Sequence, residues 1–318
     1  MSVKSAGNIS RAAVVHPWQT VHPASSRDRD TMRQIRAMAE PNKGKLQGVA
    51  ARPVFDGIIR SVLAPEGVTC RDDRMGDVSG WWCEPAGAPE DKAILHLHGG
   101  WFNWGSAEAF QHLVGHIARS AGIKTFIPDY GLAPENVFPH AVNDARACLL
   151  DLRERGIRSI AITGDSAGGN LALALLSLFP HEKSIVGAVA LSPVTDLTQS
   201  GESWKSRAAA DPFFVHDQAK SLIDSYLGNA DPTDPIASPL FGAFDGLPPI
   251  RVHVGDDEVL LSDAMRYVER AVAMGTNARV DIWEGMVHGF LGNVGRLDAA
   301  DHLLTAIGTF LQHQFAAG

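Results

Sequence analysis

From about residue 93 onward, short apolar runs alternate with longer amphipathic runs along the chain. This alternation is typical of βαβ units, in which helices cover both faces of a parallel sheet. The apolar runs predict strands at residues 93–98, 124–128, 159–163, 185–191, 250–254 and 279–283. The amphipathic runs predict helices at residues 108–121, 141–155, 170–179, 262–274 and 298–313. We therefore expect an α/β fold with a doubly wound sheet.

Two shorter runs precede this alternation, at residues 68–74 and 79–84. Gly76 and Asp77 separate them, and such a pair of turn residues between two short, partly alternating runs is typical of a β-hairpin. We expect an antiparallel hairpin at the start of the sheet.

Two segments do not fit the alternation. Residues 1–64 are largely helical in composition, and residues 196–235 hold aromatic side chains among Asp-Pro turns. In open α/β folds, ligands bind at the carboxyl edge of the sheet. We predict that these two segments form a helical cap over that edge, and that residues 65–195 and 236–318 form the core domain.

The chain has 318 residues, of which 45% are apolar and 20% charged, and this is enough to bury one large core. The formal charge of −8, without any long run of Lys and Arg, argues against nucleic acid and anionic membrane surfaces as partners. The N-terminal segment lacks the apolar run of a secretory signal, and no stretch approaches about eighteen uninterrupted apolar residues. We therefore expect a cytoplasmic protein without a membrane span.

The three cysteines, Cys70, Cys83 and Cys148, are odd in number and widely spaced, and no C-x-x-C motif is present. This pattern predicts neither a disulfide framework nor a zinc site. We interpret them as small apolar residues in a reducing compartment.

The sequence Gly164-Asp165-Ser166-Ala167-Gly168 directly follows a predicted strand and precedes a predicted helix. A G-x-S-x-G motif in this context is typical of a nucleophile elbow, a sharp turn that needs small residues on both sides of the serine. The serine hydroxyl then lies at a helix N-terminus, which favours developing negative charge. This predicts Ser166 as a nucleophile; the alternative is a glycine-rich connection with an idle serine.

Two glycines, Gly99 and Gly100, follow the strand that ends at His98. They allow the backbone to approach a substrate carbonyl and to present N–H donors to it. With the N–H of Ala167, just after the predicted nucleophile, they form a predicted oxyanion hole, in which each donor is typically worth about 3 kcal/mol. The alternative is a tight turn in which His98 is a packed structural histidine.

His288 lies in the loop between the last predicted strand and the last predicted helix. An α/β-hydrolase places its general base in that loop, because the loop folds back over the nucleophile. The chain has 13 histidines, and the topological position selects this one.

These motifs together resemble the hormone-sensitive-lipase-like carboxylesterases, also called the GDXG or bacterial family IV lipolytic enzymes. The resemblance implies an α/β-hydrolase fold with a mostly parallel eight-stranded sheet, a helical cap, no cofactor or metal, ester hydrolysis through an acyl-enzyme, and a possible homodimer. The matching elements, within residues 68–315, are His98-Gly99-Gly100, residues 129–135, residues 164–170, Gly246-Leu247-Pro248-Pro249 and Val287-His288-Gly289-Phe290.

Two positions depart from the family pattern. Trp101 stands where many relatives have a third glycine, and Gly131 stands where many have arginine. Trp101 leaves both predicted glycine donors intact but narrows the expected acyl pocket. Gly131 removes a structural ion pair.

The acidic partner of His288 is expected in the loop after the strand at residues 250–254. Matching Leu260 to the leucine of the family's D-P-L pattern puts Glu258 at the acidic position, 30 residues before His288. Asp257 is the alternative, and the geometry at the end of the strand decides between them. Either carboxylate would orient the imidazole and stabilise the imidazolium.

Five aromatic side chains are candidate walls of a substrate pocket, since aromatic residues cluster where the cap meets the sheet; a core role is the alternative for each. They are Trp101, Phe102, Trp104, Phe213 and Phe214. A cap favours short- to medium-chain esters over long triglycerides, and a lactone or an aryl amide would use the same machinery.

Two other functional classes remain open. A non-catalytic small-molecule receptor on the same fold would lose one of the three catalytic groups. A metal hydrolase is suggested only by His96 and His98 on one strand, without further ligands at helpful spacing.

Overall fold

The computed structural model describes residues 16–317. Within that range the strands are β1 (Gln19–His22), β2 (Val68–Met75), β3 (Val78–Pro85), β4 (Lys92–Leu97), β5 (Thr125–Pro128), β6 (Ser159–Asp165), β7 (Ile185–Leu191), β8 (Ile250–Gly255) and β9 (Ala278–Trp283). The helices are α1 (Ser26–Ala39), α2 (Arg52–Arg60), α3 (Ala107–Ala121), α4 (His140–Glu154), α5 (Ala167–Leu178), α6 (Ser203–Ser206), α7 (His216–Leu227), α8 (Leu261–Ala273) and α9 (Asp298–Ala317). Short 3₁₀ turns lie at Glu40–Asn42, Val49–Ala51, Pro239–Phe241 and Phe290–Asn293.

All nine strands form one sheet in the order β1-β9-β8-β7-β6-β4-β5-β3-β2. Every neighbouring pair is parallel except β3 with β5 and β2 with β3. Each strand and helix expected from the alternation is present, with ends that differ by a few residues. The predicted mostly parallel α/β sheet is therefore confirmed.

The expected number of eight strands is wrong, because β1 adds a ninth at the edge beyond β9. Gln19–His22 pairs in parallel with residues 280–283. The His22 ring stacks on Trp283 with centroids 4.0 Å apart, and its Nε2 lies 2.7 Å from Asp281 Oδ1. This strand belongs to the segment assigned to the cap from composition, and four residues carry too little alternation to predict a strand. Residues 1–15 of the predicted cap and residue 318 of the predicted core lie outside the described residues.

Side chains alternate between two apolar layers along the central strands. Ile160 and Ile162 of β6 face the layer that contains α4, α5 and α8, whereas Ala161 faces the layer with α3 and α9. Burial on both faces explains why the sequence shows these strands as continuous apolar runs.

The N-terminal segment and the segment from residue 196 to 235 contact each other. Gly44 N donates to Phe213 O at 3.1 Å, and Gln218 Nε2 donates to Leu46 O at 2.7 Å. Helix α7 also reaches the loop after β4, where Asn103 Nδ2 donates to Leu222 O at 2.9 Å. No helix between residues 16 and 317 is both long and apolar enough to cross a membrane.

Candidate active site

Ser166 lies in the turn between β6 and α5, with φ 55° and ψ −119°. A positive φ is uncommon for a residue with a side chain and marks a strained position. The neighbouring glycines make the turn possible, since a Cβ on Gly164 would lie 2.2 Å from Gly168 O and a Cβ on Gly168 would lie 1.9 Å from Leu97 O. The strand, the sharp turn and the helix therefore have the geometry of the predicted nucleophile elbow.

Glu258 contacts the imidazole of His288. Its Oε2 lies 2.9 Å from His288 Nδ1, and its Oε1 accepts hydrogen bonds from Ser192 Oγ and Gly255 N, both at 2.7 Å. The carboxylate is completely buried. Asp257, the alternative acid, instead pairs with Arg36 of α1. Of the two candidate acids, Glu258 is therefore the one that contacts the His288 imidazole.

The surroundings of His288 favour its protonated form. Burial alone would lower the pKa of this imidazole, but the hydrogen bond and charge of Glu258, with the charges of Asp211 and Asp165, raise it above its ordinary value. With Nδ1–H donated to Glu258, Nε2 is the nitrogen free to accept a proton.

Ser166 and His288 lie at the same edge of the sheet, after the carboxyl ends of β6 and β9. Ser166 N donates to Leu191 O at 2.8 Å, and the next residue, Ser192, donates to Glu258. Among the described residues, Ser166 Oγ and His288 Nε2 do not form a hydrogen bond with each other. Such catalytic bonds are often long in ligand-free enzymes and tighten when substrate binds.

The loop after β4 presents its backbone to the elbow. Gly99 N donates to Asp165 Oδ1 at 3.0 Å, so this predicted oxyanion donor is already engaged. The N–H groups of Gly100 and Ala167 have no partner within residues 16–317. Gly100 has φ 124°, and a Cβ there would lie 2.2 Å from Trp104 O. Gly100 and Ala167 are therefore the predicted donors that are free to bind an oxyanion.

Comparison with known proteins finds relatives among esterases of the α/β-hydrolase fold. A family model for the alpha/beta hydrolase fold matches residues 94–292. An esterase of Acinetobacter venetianus is 33% identical over 255 residues, which make up 79% of this chain and 84% of that protein. The crystal structure of an esterase from the bacterial hormone-sensitive lipase family is 32% identical, with a TM-score of 0.84 over 91% of this chain and 98% of that chain. EstE5 soaked with p-nitrophenyl butyrate is also 32% identical, with a TM-score of 0.84 over 92% of this chain and 100% of its own.

The chain belongs to the hormone-sensitive-lipase-like family of α/β-hydrolases. The resemblance stated from the motifs is confirmed. The roles of single residues in this hydrolase rest on the geometry described here and stay predictions.

His98 has a structural place in the hydrolase. Its ring stacks on Tyr130 at 4.3 Å and on Phe110 at 5.1 Å between centroids, and its Nδ1 donates to Gly99 O at 2.9 Å. Burial lowers the pKa of this imidazole, which favours its neutral form. His96 contacts Thr163 and Asp165. Within residues 16–317, no three or more His, Cys, Asp or Glu side chains are grouped so that they could hold a metal ion.

The five candidate pocket residues divide into two groups. The Phe214 ring lies edge-on to His288, with centroids 4.8 Å apart, and Trp101 lies edge-on to Phe214 at 5.2 Å. Phe213 neighbours Phe214 at 6.3 Å. Phe102 is fully buried and stacks on Tyr226 at 3.8 Å. Trp104 is also buried and donates its Nε1–H to Gly48 O at 2.8 Å. Phe102 and Trp104 thus pack into the core rather than against His288.

Arg52 of α2 supplies a guanidinium to the loop in which Gly131 replaces the arginine of many relatives. It binds both carboxylate oxygens of Glu135, at 3.0 and 2.6 Å, and donates to Asn103 O and Ala133 O, both at 2.8 Å. The N-terminal segment thus supplies this loop with an ion pair between Arg52 and Glu135.

Sequence reasoning missed three side chains that surround the site. Ser192 and Asp165 bind the predicted acid and the predicted oxyanion loop, as described above. Asp211 acts on His288 through its charge. The available signal for Asp211 was its place in an Asp-Pro turn directly before two aromatic residues.

Proposed function

We propose that this hydrolase is a serine carboxylesterase that cleaves short- to medium-chain carboxylic esters through an acyl-enzyme. The contact between the buried Glu258 carboxylate and His288 Nδ1, beside the elbow that carries Ser166, is the observation that supports this most strongly. A non-catalytic receptor on this fold would lack one of these three groups, and all three are present.

In the proposed mechanism, Ser166 Oγ attacks the ester carbonyl carbon while its proton passes to His288 Nε2. Glu258 stabilises the imidazolium that forms. The N–H groups of Gly100 and Ala167 bind the oxyanion, and Gly99 joins them only if its N–H leaves Asp165. The imidazolium returns the proton to the departing alcohol. Water then attacks the acyl-enzyme while His288 Nε2 accepts its proton, and the imidazolium passes that proton to Ser166 Oγ as the acid leaves.

The test replaces Ser166 with alanine and measures hydrolysis of p-nitrophenyl butyrate and labelling by a fluorophosphonate. We expect both to be lost. Ser177→Ala is a matched control, because Ser177 lies at the other end of the same helix, where its hydroxyl bonds only to backbone oxygens at 3.4 Å. Full activity of the Ser166→Ala variant would refute the assignment.

The proposed acyl preference is for short and medium chains. Trp101 supports it, since its ring stands where many relatives have a third glycine and packs edge-on against Phe214, the neighbour of His288. Rates on a series of acyl lengths, with lactones and aryl amides alongside, test this. A rate that increases steadily to long chains would contradict it.

Location and assembly complete the proposal. The three cysteines are free thiols, which supports a reducing, cytoplasmic compartment. The charge of −8 argues against nucleic acid as a partner. A homodimer is proposed from the family resemblance. Cell fractionation and light scattering of the purified protein test the location and the assembly.

A further inference from the structure

Asp211 is a completely buried carboxylate in the turn that precedes Phe213 and Phe214. Its Oδ1 accepts the N–H groups of Phe213 at 2.8 Å and Phe214 at 3.1 Å, and its Oδ2 accepts Val259 N at 3.0 Å. One side chain thus joins a turn of the predicted cap to the residue that follows Glu258.

Each of the two loops that Asp211 joins contains a residue that contacts His288. Phe214 places its ring edge-on to the imidazole, and Glu258 binds Nδ1. A carboxylate that accepts three backbone N–H groups is fixed in position, because each bond constrains a different part of the two loops.

Further bonds hold the same two loops together. Arg207 Nε donates to Asp256 O, and Ser203 Oγ donates to Val259 O. Lys43 Nζ of the N-terminal segment donates to the carbonyls of Ala208 and Asp211 and so holds the cap side. Asp211 differs from these groups because it bonds to Phe214, which contacts His288, and to Val259, the residue next to Glu258.

Three carboxylates act on His288 through their charge: Glu258, Asp211 and Asp165. Burial raises the pKa of Asp211 above its ordinary value, and the three backbone N–H donors and the charge of His288 offset this only in part. N–H donors are the partners of an ionised carboxylate, so the geometry favours the charged form.

We propose that Asp211 is a positioning residue of the esterase, which holds Phe214 and the Glu258 loop against His288 as one unit and adds its negative charge to those of Glu258 and Asp165. This inference rests on the proposed function. It predicts that the turn that carries Asp211 and Phe214 positions His288 together with the Glu258 carboxylate.

The test replaces Asp211 with asparagine and records the pH dependence of kcat and kcat/KM. Removal of a negative charge makes the imidazolium less stable, so the acid limb of the kcat/KM profile should move to lower pH by about one unit. On the alkaline plateau kcat should fall about tenfold or more, because small displacements of catalytic groups are costly. KM should change little, since the displaced groups act in the transition state.

Asp196→Asn is the matched control. Asp196 is also a completely buried carboxylate of the 196–235 segment, but it binds Ser200 at 2.6 Å and Arg266 at 2.8 Å instead of the Glu258 loop. We expect this variant to lose thermal stability while the acid limb stays at its wild-type pH. If Asp211→Asn behaves in the same way, Asp211 has a structural role only and the proposal is overturned.

An NMR titration of the His288 imidazole, assigned by its absence from His288→Gln, separates this proposal from the proposed function. It requires no turnover, so a lower imidazole pKa in Asp211→Asn supports the charge effect even in a protein that hydrolyses no ester. An unchanged imidazole pKa overturns it. Where Asp211→Asn does not fold, Phe214→Ala tests the cap side: a reduced kcat with an unchanged KM is expected, and wild-type kinetics contradict the proposal.

Discussion

Glu258 and Asp257 are neighbours in the chain, yet the fold gives them different partners. Glu258 points under the elbow to Ser192, Gly255 and His288, whereas Asp257 points outward to Arg36. The sequence placed both acids at the right end of the right strand. The match to the family pattern favoured Glu258, but spacing alone did not exclude Asp257, because successive residues at a strand end point in different directions and the local backbone geometry decides.

Replacement of each acid by its amide tests this difference. Glu258→Gln should lower kcat by about 10²–10⁴-fold, because a neutral amide does not stabilise the imidazolium and can hold the wrong tautomer. Asp257→Asn should keep near wild-type kcat and lose less than about 1 kcal/mol of unfolding free energy, since the Arg36 pair is partly exposed. Kinetics and thermal melts of the two variants measure this. A reversal of the two effects would make Asp257 the functional acid.

The pKa of His288, raised above its ordinary value, predicts the pH dependence of the esterase. The base must be neutral to accept the Ser166 proton, so activity is lost as the pH falls through the imidazole pKa. We expect the acid limb of kcat/KM above about pH 6.5, the ordinary histidine value. A pH-stat assay with an aliphatic ester measures it without the titration of nitrophenol. His98 cannot supply this limb because burial lowers its pKa, and a limb below pH 6 would contradict the assignment to His288.

At the level of elements, the β2–β3 hairpin was predicted with its turn at the correct residues, and its register brings two of the three cysteines together. The closing pair is Met75 with Val78, and the register is unbroken to Cys70 opposite Cys83. Pairs alternate along an antiparallel ladder, which makes Cys70 and Cys83 a non-hydrogen-bonded pair with closely spaced side chains. Their Sγ atoms are 3.2 Å apart. Hairpin register alone would have predicted this contact.

Oxidised glutathione should therefore close a disulfide in this hairpin. Cys70 is partly exposed, and a hydrogen bond from Cys83 lowers its pKa, which favours thiolate attack on the glutathione disulfide. Cys83 then displaces the bound glutathione, so two thiols and one glutathione disulfide become one protein disulfide and two reduced glutathiones. Thiol titration should fall from three to one, with Cys148 unmodified. Cys83→Ser is the control, and retention of all three thiols in the wild type would contradict the prediction.

The loop after β4 shows the limit of motif reasoning at this scale. Its glycines predicted a backbone close to the elbow, and a Cβ on Gly99 would indeed lie 2.3 Å from Asp165 Oδ2. The motif did not predict that Gly99 donates to Asp165, or that Trp101 and Phe102 adopt positive φ of 54° and 60°. The bond of Gly99 depends on the pairing of β4 with β6, two strands that are distant in sequence. Propensity carries no information about such contacts.

At the scale of the whole molecule, the periodicity of the chain predicted the core, because strands buried on both faces and helices with one apolar face leave a strong pattern. The N-terminal segment was harder to interpret. Its helices were expected, but β1 depends on β9, a strand more than two hundred residues away, for all of its sheet bonds. Long-range pairing of a short edge strand leaves no local signal.

Removal of residues 1–23 should separate stability from catalysis. Loss of β1 leaves the edge of β9 unpaired, so the melting temperature should fall by about 2–4 °C for each kcal/mol of unfolding free energy that is lost. The exposed strand edge should also increase self-association. The loop that carries His288 is held by Gly285 N to Asp256 Oδ1 at 2.6 Å and by Asp257 N to Met286 O at 3.2 Å. Neither bond involves β1, which reaches this loop at its first residue, where Glu284 N donates to His22 O at 3.0 Å. The two bonds nearer to His288 stay in place, so kcat/KM of the folded protein should be retained. Val21→Thr, at a half-exposed position of β1, should behave as wild type. Loss of kcat/KM at an unchanged melting temperature would instead make β1 part of the catalytic apparatus.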